Sequence, residues 1–183
     1  MALRLFEHNE KAYHAAVRMM EQYGKAAIVH PTGTGKSYIA FKLIEDNPEK
    51  VVLWLSPSEY IFKTQLESLK RNDPDFPLAN VHFYTYAKLM CCTQAQLDDI
   101  VAQKPAYIIL DEFHRAGAEC WGESTVALLK LCPEAKLLGL TATNVRYLDN
   151  NRSNRQGYFA YSELCDHRLS VPERLGTLSD KSG

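Results

Sequence analysis

The residues best suited to chemistry form one turn, Pro31-Thr32-Gly33-Thr34-Gly35-Lys36-Ser37. An apolar run, Ala26-Ala27-Ile28-Val29, leads into it, and a helical run from Tyr38 to Glu45 leads out. In a strand–turn–helix setting, Gly-x-Gly-Lys-Ser is the pattern of a phosphate loop. Gly33 and Gly35 have no Cβ, so the backbone can take positive φ and turn its N–H groups onto a phosphate, with those of Thr32 and Thr34 beside them. A helix that starts at the loop aims its unpaired N–H groups and the positive end of its dipole at the same anion. Lys36 would reach the β- and γ-phosphates, and the Ser37 hydroxyl would sit on Mg²⁺. The full pattern has glycine at its first position, where this chain has His30. The alternative is a glycine-rich strand–helix turn that carries a surface lysine.

A second group follows another apolar run. Ala106-Tyr107-Ile108-Ile109-Leu110 leads straight into Asp111-Glu112-Phe113-His114. Asp111 would hold Mg²⁺ through its water shell, because this ion keeps several waters and takes few protein ligands. Glu112 would orient and deprotonate an attacking water, and His114 would sense the γ-phosphate from a neighbouring loop. Taken alone, these residues also suit an ordinary solvated acidic turn. A third run, Lys136 to Leu140, ends at Thr141-Ala142-Thr143. Two threonines after a strand are common β-formers and caps. If that strand joins the same sheet, Thr141 and Thr143 would hydrogen-bond to the acidic loop and report nucleotide state.

These groups need a scaffold, and the chain alternates strand and helix patterns throughout. Phe6 to Tyr23 has alanine and methionine at three- and four-residue spacing, which predicts an amphipathic helix, with Gly24 as its C-cap. Val51 to Leu55 is a continuous apolar run ended by Ser56-Pro57-Ser58, followed by a predicted helix from Glu59 to Arg71. Val81 to Tyr84 predicts a third strand before Thr85-Tyr86, and Ala87–Cys92 and Gln94–Gln103 predict short helices. Cys120 to Leu131 predicts another. Continuous apolar strands separated by helices imply a largely parallel sheet covered on both faces. Right-handed crossovers then bring the strand C-terminal ends, and the loops named above, to one edge. From about Asn150 the chain turns polar and turn-prone; Tyr158 to Leu164 suits either helix or strand, and no role is assigned to residues 150–183.

The chain has 183 residues, 46% apolar and 23% charged, which suits one domain with a real core. Its formal net charge of −1 excludes a strongly basic protein, so any nucleic-acid contact must come from a local patch. No apolar run approaches the ~20 residues needed to span a membrane. The N-terminus has charged and polar residues too early for a secretory signal. Five cysteines, an odd number without C-x-x-C, read as reduced thiols of a cytoplasmic protein.

Together, Pro31–Ser37, Asp111–His114 and Thr141–Thr143 resemble motifs I, II and III of superfamily 2 helicases of the DExH branch, at intervals of about seventy-five and thirty residues. The stretch Leu140 to Asp149 resembles the extended motif of the helicase and restriction-enzyme translocase group, with Asn144 where proline is usual. The resemblance covers about residues 1–149. It implies a RecA-like P-loop NTPase domain of α/β class, with ATP and Mg²⁺ as its ligands and DNA or RNA as its partner, held by backbone contacts. Ser56 and Ser58 stand where a nucleic-acid backbone is touched in that family, and Thr85 where a later contact falls. Asn9, after His8, takes the place of the aromatic–glutamine pair that reads adenine, one methylene shorter. Such enzymes also carry a second RecA-like domain whose arginines complete the ATP site, and the residues after 149 are too few to hold one. The resemblance thus implies a first motor domain alone, needing a second RecA-like domain or a partner chain, binding ATP weakly and hydrolysing it slowly by itself.

Two other functions stay open on the residues. One is a non-catalytic nucleotide-binding module that regulates a partner. The other is a phosphotransferase using the same loop on a small acceptor, against which the acidic pair followed by Thr-Ala-Thr argues.

Overall fold

A computed structural model describes residues 3–113, 119–142 and 168–170. The described elements are α1 (Glu7–Tyr23), β1 (Lys25–Val29), α2 (Lys36–Glu45), β2 (Val52–Ser56), α3 (Glu59–Asn72), β3 (Val81–Thr85), α4 (Tyr86–Met90), α5 (Gln94–Ala102), β4 (Tyr107–Asp111), α6 (Glu119–Leu131), β5 (Lys136–Thr141) and β6 (Arg168–Ser170). The strands lie in the order β3-β2-β4-β5-β1-β6, and every described pair is parallel. The predicted elements appear within a residue or two of their expected bounds. Strand β6 was not foreseen; it pairs with β1 from a region too polar and short to announce a strand. The stretch Tyr158 to Leu164 lies outside the described residues.

Alternate residues of the central strands face opposite layers. Ile28, Trp54, Ile109, Leu138 and Leu140 pack with α1, α2 and α3, through Ala16, Met20, Ile39, Phe41 and Phe62 among others. Ala27, Leu53, Leu55, Ile108 and Leu110 pack with Leu89 of α4, Ile100 of α5 and Leu128 of α6. All five residues of β2 are buried, which a strand covered on both faces requires. This explains the unbroken apolar runs: neither face meets water, so no period-two alternation develops. Burying Trp54, Phe41 and Leu53 completely stabilises the fold by about 1.5–3 kcal/mol per side chain before entropy is counted.

Helix ends are set by local chemistry. Gly24 closes α1 at φ 73, with its N–H donating to the Met20 carbonyl. Ser58 caps α3 by accepting from the Ile61 N–H, and Thr93 and Gln96 form a capping box on α5. No described helix is long and apolar enough to cross a membrane. Among the described cysteines, Cys91, Cys92 and Cys132 are free thiols.

Candidate nucleotide and metal site

Register places the motifs at one sheet edge. Val29 at the end of β1 pairs with Thr141, and Leu140 of β5 pairs with Asp111 at the end of β4. The His30 N–H continues the ladder, donating to the Thr141 carbonyl at 3.0 Å. Neighbouring strands lie about 4.8 Å apart, so the β1 and β4 ends are separated by roughly 10 Å. A triphosphate with its ion fits that gap. The Thr141 hydroxyl lies 3.5 Å from a Glu112 carboxylate oxygen and donates towards it, linking the third motif to the second.

The loop has the geometry its glycines suggested. Gly33 stands at φ 84, and Gly35, the N-cap of α2, at φ 81. Both are left-handed conformations that disfavour any side chain. No described side chain caps α2, so its first N–H groups face the loop, as an anion-binding helix start requires. Lys36 is almost fully buried; its amine donates to the Pro31 carbonyl at 3.3 Å, across the loop. The Thr34 hydroxyl donates to the same carbonyl at 2.8 Å. Thr32 is exposed at the loop tip, and Ser37 is half-buried in the first turn of α2.

Opposite the loop stand the two carboxylates. Asp111 is 2% exposed, and burial is the chief reason its carboxyl is pushed up to about 6. The Glu112 charge adds to that rise, while a hydrogen bond from Gln65 and the nearby Lys36 charge oppose it. Glu112 sits at φ 48, a left-handed conformation that is uncommon outside glycine, asparagine and aspartate. A buried carboxylate beside a half-buried one, close enough to Lys36 to feel its charge, suits a cation and a phosphate chain better than it suits a solvated turn. The residues present therefore fit Mg²⁺ and a nucleotide. His114 and Thr143 lie outside the described residues.

Several supporting residues carry no sequence signal. Gln65 of α3 donates its amide to Asp111 Oδ2 at 3.0 Å, from 46 positions away. The Tyr86 hydroxyl donates to the Asp111 backbone carbonyl at 2.9 Å. Gly139 leaves room for the Phe113 ring, since a Cβ there would stand 2.9 Å from Phe113 Cδ1. The buried Phe113 thus fixes the turn that carries Asp111 and Glu112. Gln65 is one of several polar residues on its helix, so nothing in its spacing marks it.

Asn9 is fully buried in the first turns of α1. Its amide nitrogen donates to the carbonyls of Thr34 at 2.7 Å and Gly35 at 3.3 Å. The hydroxyls of Ser56, Ser58 and Thr85 have structural tasks. Ser56, buried at the end of β2, donates to the Ser58 carbonyl at 3.3 Å; Ser58 caps α3 and Thr85 caps α4. Ser56 and Thr85 are register partners, so the three lie together on the same edge as the loop.

Among solved structures, the chain is similar to the SWI2/SNF2 ATPase core of Sulfolobus solfataricus, solved with double-stranded DNA. The TM-score is 0.61 and the identity 14%, over 90% of this chain and 36% of that one. It is also similar to the Hef helicase domain of Pyrococcus furiosus, with TM-score 0.60 and 21% identity over 92% of this chain and 39% of that one. At such identities the likeness is one of fold, that of a RecA-like helicase-type domain. The chain spans little more than a third of each of those two structures. No curated protein sequence matches it significantly. The family described as "Type III restriction enzyme, res subunit" matches residues 2–146, and on that match, with this fold and these motifs, the chain belongs to that helicase and restriction-enzyme motor-domain family.

Proposed function

We propose that this domain binds ATP with Mg²⁺ between the phosphate loop and the Asp111–Glu112 turn, and hydrolyses it as the first half of a nucleic-acid motor. The observation that carries this reading is the adjacency of β1, β5 and β4, which sets the Lys36 loop beside the two carboxylates. In this reading the N–H groups of residues 32–37 and the Lys36 amine hold the β- and γ-phosphates. Ser37 and Asp111 hold Mg²⁺, which supplies charge neutralisation across the phosphate oxygens when bound. Glu112 orients the attacking water and takes up its proton. Thr141, already beside Glu112, relays the state of that carboxylate to β5; in the same reading His114 senses the γ-phosphate and Thr143 shares the coupling role of Thr141.

DNA or RNA is the partner this reading implies. Its backbone would pass along the edge formed by Ser56, Ser58 and Thr85, where hydroxyl and N–H groups hold phosphates without reading bases. Isolated, the domain turns over slowly, because the arginine that a second RecA-like domain or partner chain supplies is worth about 10³–10⁵ in rate. Domain limits of 1–149 and a cytoplasmic setting belong to the same reading.

The test compares ATP hydrolysis by wild type and Glu112→Gln, each with and without single-stranded DNA. A slow wild-type rate that the variant abolishes supports the motor reading. Nucleotide binding with identical background hydrolysis in all four samples indicates a non-catalytic module instead. Fast, DNA-stimulated turnover by the monomeric domain would refute the need for a second half.

A further inference from the structure

The position of His30 is the point at which the phosphate loop departs from its usual pattern, and the structure shows what the imidazole contacts. His30 is 2% exposed, directly after β1. Its Nδ1 lies 3.2 Å from Asn9 Oδ1, while its Nε2 is buried without a hydrogen-bond partner among the described residues. The two Asn9 contacts on the other side are both backbone carbonyls, which only accept. That settles the orientation of the amide: nitrogen towards the loop, oxygen towards His30. The oxygen can only accept, so His30 must donate from Nδ1. The imidazole is then the Nδ1–H tautomer with a bare Nε2. Burial, followed by the nearby charges of His8 and Lys36, holds its pKa below the ordinary value and keeps the ring neutral.

The loop side of this contact is equally constrained. A Cβ on Gly35 would approach Asn9 Nδ2 to 3.1 Å, so the amide occupies the space that glycine leaves. His8 Nε2 donates to the same Thr34 carbonyl at 3.2 Å. The Thr34 and Gly35 carbonyls are therefore drawn towards α1, and the N–H groups of the peptides that carry them point the opposite way.

We propose that Asn9 and His30 are a positioning pair: His30 orients the Asn9 amide, the amide draws two loop carbonyls inward, and the loop N–H groups are thereby presented to phosphate. The Asn9 amide nitrogen is shared between two loop carbonyls and its oxygen meets His30, so the side chain is committed to the loop rather than to a nucleobase, and selection acts on the phosphate chain. This inference rests on the reading of the loop as a nucleotide site.

The test measures binding of ATP, GTP and inorganic tripolyphosphate by calorimetry, each with Mg²⁺, to folded wild type and variants. Asn9→Ala should weaken all three by the same factor, about tenfold, the size of one or two neutral hydrogen bonds. An asparagine amide at position 30 places its nitrogen close to where Nδ1 stands, and a glutamine amide close to where Nε2 stands. His30→Asn should therefore keep near-wild-type affinity, whereas His30→Gln and His30→Ala should lose as much as Asn9→Ala. Asn9→Ala combined with His30→Ala should lose no more than either alone. If Asn9→Ala weakens ATP alone and leaves tripolyphosphate unchanged, Asn9 reads the base and the inference falls. A second readout needs no ligand. Long-range ¹⁵N–¹H spectra of the free protein should show His30 as the neutral Nδ1–H tautomer, changed in Asn9→Ala; an Nε2–H tautomer in wild type would overturn the pair. Absence of any wild-type binding would remove the nucleotide reading while leaving this spectral test intact.

Discussion

At the phosphate loop the polar contacts come from neutral groups and one buried lysine; at the Asp111–Glu112 turn, two strands away, they come from one buried and one half-buried carboxylate. The loop is held from within and from α1. Its carbonyls accept from Asn9, His8, Thr34 and Lys36, and its left-handed residues are glycines. The acidic turn is held under less favourable conditions. Asp111 is buried enough to hold its proton up to about 6, and Glu112 adopts a left-handed backbone with a full side chain. The difference follows from the sign of the ligand each would take. N–H groups for an anion can be pre-assembled without net charge, whereas a cation site needs like charges side by side, which repel until the cation balances them.

The largest effects should separate the two regions by what they disturb. Glu112→Gln keeps the shape but removes the base, so ATP hydrolysis should fall about 10²–10⁴-fold with nucleotide binding retained. Lys36→Ala should lower binding and hydrolysis together, because its charge acts on the phosphates in the ground state as well. Equal binding by both variants would erase the distinction between the two regions. Steady-state rates beside calorimetric affinities measure it.

Glycine substitutions sharpen the contrast. Gly139→Ala meets only crowding, against the buried Phe113 ring. It should lower stability by about 1–3 kcal/mol, the usual range for an overfilled core, and depress hydrolysis by shifting the acidic turn. Gly35→Ala meets a backbone objection at φ 81. A left-handed alanine costs about 1–2 kcal/mol, and binding should fall with it. Chemical denaturation gives both stabilities. Phe113→Leu should relieve Gly139→Ala and leave Gly35→Ala unchanged.

The smallest net effect concerns pH in the free protein, because the two regions oppose each other. Asp111 has a folded pKa of about 6 against a reference of 3.8. Its stabilising contribution is complete below about 3.8 and is lost as pH rises through about 6. His30 is shifted the other way, below 6.5. Its contribution is present above 6.5 and declines as pH falls below that value, where the unfolded imidazole takes up a proton that the buried ring resists. Between pH 7 and 5 the melting temperature of Asp111→Asn should therefore drop more than that of wild type, and that of His30→Asn less. Thermal melts at the two pH values decide this.

Much of this arrangement was legible in the residues. Gly33, Gly35, Lys36 and Ser37 announce their turn because left-handed backbone and a phosphate-seeking lysine are local properties. The apolar runs at Val52–Leu55 and Ile108–Leu110 announce doubly covered strands for a similar reason. The partners of those residues were not legible. Asn9 invited a base-reading role by its place in a resemblance, yet its amide is engaged by loop carbonyls some 25 positions on. Gln65 meets Asp111 only because α3 packs on β2, the strand beside β4. The hydroxyls of Ser58 and Thr85 show their caps plainly, while the sequence alone left cap and phosphate contact equally open.

The sequence by itself determined which turns can bind an anion, which strands must be buried and where each helix stops. Those outcomes depend on sterics and hydrogen bonds within a few residues. Only the tertiary structure decided that β5 lies between β1 and β4, that Thr141 reaches Glu112, and that Phe113 closes over Gly139. Such contacts join residues that are distant along the chain, and they exist only once strand order and register have been chosen by packing the whole core.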